Sequence, residues 1–184
     1  VNAGEQEHQG FEIDSITALS ESFVVGLSAI KIDAEYISFV DGPCDTRLGS
    51  TFASLACDAG KRTQDMTGGT PGGIHEWSVN ANATYSFNMT DATSGFLRVE
   101  YVYDSDAAVV DNVPKSLASR SSKNLNLSLG LNHEPSGVDV MLWGRNLTDH
   151  ESLISAFPVP AQSGSFNGYP NQPRTYGLTL RKNF

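Results

Sequence analysis

Pro173-Arg174-Thr175-Tyr176-Gly177-Leu178-Thr179-Leu180-Arg181-Lys182-Asn183-Phe184 is the stretch on which the fold of this chain turns. Tyr176, Leu178, Leu180 and Phe184 fall on one face, and Thr175, Gly177, Thr179, Arg181 and Asn183 on the other. Side chains along a strand project alternately to two sides, so the segment has one apolar and one polar wall. The same alternation recurs upstream and predicts about seven strands. The first covers residues 5–17 and the second 23–39, where the pattern slips near Lys31 and predicts a bulge or the strand leaving a membrane. The third covers 75–87, where Trp77, Val79, Ala81, Ala83, Tyr85 and Phe87 oppose Glu76, Ser78, Asn80, Asn82, Thr84 and Ser86. The fourth covers 95–104, the fifth 123–133, the sixth 137–146 and the last 173–184. Leu125, Leu127, Leu129 and Leu131 are spaced by two, which rejects a helix for the fifth.

The connections alternate in length. Short links at Ser20-Glu21, at 88–94 and at Glu134-Pro135-Ser136 trade places with long ones at 40–74, 105–122 and 147–172. Two-walled strands joined by short turns at one end and long loops at the other describe an antiparallel, up-and-down transmembrane β-barrel. In a bilayer every backbone polar group must be paired, which leaves helices and closed sheets as the spanning structures. No run of about 18 apolar residues is present, so a membrane-crossing helix is not expected. Seven strands do not close a bacterial barrel of even strand count. The expectation is therefore an all-β chain forming part of a larger barrel.

Trp143-Gly144-Arg145-Asn146-Leu147-Thr148-Asp149, followed by a Gly/Pro/Asn-rich stretch and then Pro173-Arg174-Thr175-Tyr176-Gly177 running to Phe184, resembles the carboxy-terminal end of TonB-dependent outer-membrane receptors. Asn2-Ala3-Gly4-Glu5 and Gly10-Phe11-Glu12 look like that family's strand openings further back in the barrel. Ser152 and Lys182 depart from the pattern, each standing where an aromatic is usual. A lysine at a membrane interface snorkels, which keeps the terminal strand usable as an assembly signal, carried by Tyr176, Leu178, Leu180 and Phe184.

The resemblance implies that residues 1–184 are the carboxy-terminal segment, roughly the last third, of a barrel of about 22 strands with a plugged lumen. It implies a plug domain outside this sequence and location in a Gram-negative outer membrane. It also implies active uptake of a siderophore, cobalamin or oligosaccharide, energised by the TonB complex through that plug. Implied partners are the lipid bilayer, the plug, the remaining strands and the outer-membrane assembly machinery. No cofactor and no enzyme activity are implied. The opening Val1-Asn2-Ala3 has neither an initiator Met nor a charged-then-apolar leader, and the expectation is a processed chain or a piece of a longer one.

The net charge of -9 lacks the basic footprint of a nucleic-acid binder. Cys44 and Cys57 are the only cysteines, and in an oxidising compartment they are expected to pair. Arg98, Glu100, Asp139 and Arg145 are expected on the lumen wall, as ion pairs between neighbouring strands rather than as ligand contacts. Tyr85, Phe87, Tyr101, Tyr103 and Tyr176 suit interfacial girdles or cross-strand pairs. His150 lies between Asp149 and Glu151 with Ser152 following, but neighbours on a loop do not supply a triad or a metal site. That cluster is expected to be solvated. The competing reading is a secreted, soluble β-sandwich that binds carbohydrate, in which the apolar faces would meet in a dry core.

Overall fold

A computed structural model describes residues 4–44, 57–58, 60, 63–159, 162 and 165–183. The strands in chain order are β1 (Glu5–Ser20), β2 (Phe23–Ser38), β3 (Gly42–Pro43), β4 (Thr63–Gln64), β5 (Trp77–Thr90), β6 (Thr93–Ala108), β7 (Ser119–His133), β8 (Val138–Arg145), β9 (Leu153–Pro158), β10 (Phe166–Pro170) and β11 (Thr175–Lys182). The described residues are otherwise turns, loops and one three-residue 3-10 turn, Glu134–Ser136. No helix among them is long and apolar enough to cross a membrane.

Seven strands form one antiparallel sheet in the order β1-β2-β5-β6-β7-β8-β11. Each strand predicted from alternation is present, and several run longer than predicted. A one-residue slip would carry every side chain to the other wall, so the register decides which residues share a face. It aligns Thr17, Val25, Ala83, Val99, Leu127, Gly144 and Tyr176 in one row. The next row holds Phe23, Tyr85, Leu97, Leu129, Leu142 and Leu178. The opposite wall carries Asp14, Ser28, Asn80, Val102 and Asn124 in one row and Gly26, Asn82, Glu100 and Asn126 in another.

The apolar wall is exposed. Leu142 is 53% accessible, Leu178 59%, Leu180 68% and Tyr176 68%. Among the described residues the other sheets, β9 with β10 and β3 with β4, are two-stranded. The buried apolar residues lie instead at the long-loop end: Ala34, Tyr36, Phe39, Ala107, Val113, Ala118 and Ala156. Val113, Ala118 and Ala156 make a small core with Leu153 and Phe166, and so tie β9 and β10 to the 109–118 loop.

Two expectations are corrected here. The register holds through Lys31 with no bulge; the shifts in the β1–β2 pair fall at Glu5/Gln6 and Ala18/Ser20. What changes at Lys31 is the partner, because its pair with Trp77 is the last between β2 and β5. Beyond it the free edge of β2 is taken up by the chain at 66–69, with the Tyr36 amide donating to the Gly69 carbonyl at 2.9 Å and Gly68 donating to Tyr36 at 2.8 Å. The long 147–172 connection is also not plain loop, since β9 and β10 pair within it.

Candidate functional site

Alternation puts Arg98 and Glu100 on the polar wall of β6, and Asp139, Trp143 and Arg145 on that of β8. Arg98 Nη2 lies 3.6 Å from Glu100 Oε1, so this ion pair runs along one strand rather than between neighbours as expected. The neighbouring strand supplies an amide instead: Asn126 Nδ2 donates to Glu100 Oε2 at 3.2 Å. Asp139 accepts from the Asn132 side chain and, at 3.4 Å, from Asn183 Nδ2. The Arg145 guanidinium stands 5.1 Å from the centroid of the Trp143 ring, a cation–π contact. Trp143 Nε1 donates to Thr179 Oγ1 at 3.2 Å. Its ring lies across Gly177, where a Cβ would come within 2.0 Å of it, so only glycine admits the ring at that rung. Near the short turns the wall opens into a cavity of about 770 Å³, lined by Ser86, Phe96, Asn132, Asp139, Thr179 and Arg181 among others.

The two sequence motifs meet at the long-loop end. Asn146 and Asp149 adopt positive φ, 48° and 54°, a conformation that Asn and Asp tolerate better than most residues. Asn146 is 5% exposed and fully engaged. Its Nδ2 donates to the carbonyls of His150 at 3.1 Å and Gln172 at 3.0 Å. Its Oδ1 accepts the His150 amide at 3.0 Å. The Thr148 hydroxyl sits between that Oδ1, 3.1 Å away, and the Lys123 carbonyl. Arg174 closes the junction, with Nη2 3.1 Å from Asp149 Oδ2 and its amide 3.3 Å from Asp149 Oδ1. The Asn146 amide donates to Asn126 Oδ1 at 3.1 Å. One path of hydrogen bonds and an ion pair thus runs Arg98–Glu100–Asn126–Asn146, from wall to clasp. Leu147, Pro173, Thr175 and Tyr176 flank it; Tyr176, Leu178 and Leu180 lie on the exposed apolar wall, and Phe184 lies outside the described residues.

His150 is half-buried rather than solvated, because the clasp closes over it. Its Nε2 lies 3.0 Å from Ser121 Oγ, the spacing of a base and a hydroxyl nucleophile. Ser121 is 7% exposed, however, and its carbonyl accepts from Ser152 Oγ at 2.7 Å, so the pair is spent on structure. Ser152, the departure from the motif, also exchanges backbone and side-chain bonds with Asn171, whose Nδ2 reaches the His150 carbonyl at 2.8 Å. Ser152 and Asn171 thus form a polar bridge.

A second polar junction holds the other loops. The Tyr36 hydroxyl donates to Asp111 Oδ2 at 2.9 Å, and Gly72 N–H to Asp111 Oδ1 at 2.6 Å. Cys44 and Cys57 are disulfide-bonded, with Cα atoms 5.6 Å apart. Hydrogen bonds from Thr67, side chain first and then backbone, hold the Asp65 carboxyl below its ordinary range. Asp111, Asn171 and Ser121 carried no signal in the sequence, since each acts through a partner at least 19 residues away. Among the described residues no group of three or more His, Cys, Asp or Glu is placed to hold a metal. Comparisons with protein-family models, with curated proteins and with solved structures match this chain to none of them.

Proposed function

We propose that the chain is the carboxy-terminal part of the barrel of a TonB-dependent receptor in a Gram-negative outer membrane. In that role it supplies lumen wall, external loops and the assembly signal. The coupling element is the plug, through which the TonB complex drives uptake of a scarce ligand of the siderophore, cobalamin or oligosaccharide class. The remaining strands continue the sheet from its free edges, β1 and β11.

The observation that carries this reading is the apolar wall, which runs across all seven strands and stays exposed. In water such a surface is an aggregation liability; against lipid it is the required surface. Arg98, Glu100, Asp139 and Arg145 lie on the other wall, where a polar lumen lowers their cost. The clasp between the Asn-Leu-Thr-Asp and Pro-Arg-Thr-Tyr-Gly segments gives both motifs a joint physical role at the loop end. A soluble sandwich needs a second sheet over the apolar wall, and the other sheets described here are two-stranded pairs.

The test is to read the gene upstream of Val1 and to fractionate cells with an antibody against residues 109–118. The proposal expects a plug domain and further strand pairs in frame, with the antigen in the outer-membrane fraction. A stop codon or secretion signal just before Val1, with soluble antigen of about 20 kDa, overturns it.

A further inference from the structure

The apolar wall is not uniformly filled. In the row Leu127–Gly144–Tyr176 the central position has no side chain of its own and Leu147 covers it, and a groove of about 540 Å³ lies along this part of the wall, bounded by Leu127, Leu129, Leu142, Leu147 and Tyr176. Leu147 leans over its floor so closely that a Cβ at Gly144 would come within 2.7 Å of it. On β7 the same wall reads Lys123, Leu125, Leu127, Leu129 from the loop end inward. Lys123 is exposed and pairs across to Tyr103, at the loop-side margin of the apolar band. Among the described residues its ammonium has no carboxylate partner, unlike Lys31, which lies 3.7 Å from Glu76.

We infer that this groove binds one acyl chain of a phosphorylated lipid from the leaflet on the long-loop side, with Lys123 meeting the phosphate. The inference rests on the membrane reading above and adds a specific, charge-selective lipid to it. A rise of about 3.4 Å per residue places Lys123 about 14 Å along the strand from Leu127. A tilt of about 40° reduces that to roughly 11 Å of depth, within one leaflet of a core about 30 Å thick. A headgroup at Lys123 therefore leaves its chain long enough to reach the groove. The cation selects the headgroup, and the apolar lining of the groove takes the chain.

The test uses the intact gene product extracted from membranes and placed in nanodiscs of phosphatidylcholine with one phosphatidylglycerol in about five lipids, followed by native mass spectrometry. The expected result is retention of one phosphatidylglycerol in preference to phosphatidylcholine. Retention should fall about fivefold in Lys123→Ala, the effect of one cation near an anionic headgroup. It should also fall in Leu129→Trp, which fills the groove while leaving the wall apolar. Heat-modifiable migration in electrophoresis reports, separately, whether each variant has assembled. An assembled protein that keeps either lipid equally, or keeps phosphatidylglycerol in both variants, overturns the lipid site alone. A wild-type product that is soluble without detergent overturns the site and the membrane reading together.

Discussion

The long-loop end and the strand body of this molecule solve opposite problems. At the loop end Tyr36, Phe39, Val113 and Ala156 are buried, and the polar Asn146 is buried with its hydrogen bonds made. That is how a water-soluble protein is built. In the strand body the arrangement is reversed: Leu178 and Leu180 are exposed, while Glu100, Asn126 and Asp139 engage one another's neighbours across the opposite wall. The two regions share a chain, so composition does not account for the difference. On the proposed reading, the strand body meets lipid and the loops meet water.

Four tests sharpen that contrast, from the largest effect to the smallest. Ala81 and Asn80 are adjacent on β5 but face opposite walls, Ala81 lying between Leu27 and Tyr101. Ala81→Arg should destabilise the assembled protein by about 2–4 kcal/mol and Asn80→Arg by under about 1 kcal/mol, read as urea midpoints in bilayers. Equal effects would erase the distinction between the walls. Removing the disulfide with Cys44→Ser and Cys57→Ser should cost the loop end about 3 kcal/mol in the chain-entropy model, seen as proteolysis within the long loops while the strands stay protected. Loss of strand protection would mean that the two regions unfold as one.

Tyr36→Phe leaves Asp111 with the Gly72 amide alone and should cost about 2 kcal/mol, the range of a hydrogen bond to a charged group. Amide exchange should accelerate at 65–76 and 109–118 and stay unchanged in β6 and β7. Arg174→Ala removes a partly exposed ion pair and should cost at most about 1 kcal/mol, since the Asn146 bonds hold the clasp without it. A larger loss in thermal melts would make Arg174 the keystone in place of Asn146.

The strand body was legible in the sequence because its signal is local. A period of two places Leu125 to Leu131 on one wall without knowledge of any neighbour, and the seven strands follow from such runs. Strand ends were less legible: β6 continues to Ala108 and β7 begins at Ser119, in stretches where the alternation has faded but ladder bonds persist. The loop end was largely illegible. Nothing in Asp111 announces Tyr36, 75 residues away, and β9 with β10 is recognisable only once Val113 and Ala118 supply something to pack on. The clasp was half legible: both motifs stood out, but that Asp149 grips Arg174 and that Ser152 bonds to Ser121 and Asn171 needed the fold.

The central claim is that the apolar wall faces lipid and the opposite wall faces water. Nitroxide labels placed singly at positions 125–131 of the intact protein in bilayers test it most directly, through collision with oxygen and with a water-soluble nickel complex. Labels at 125, 127, 129 and 131 should favour oxygen, and those at 126, 128 and 130 should favour nickel or be shielded from both. Nickel access at every position, or shielding of 125, 127, 129 and 131 from both reagents as in a dry sandwich core, would contradict it.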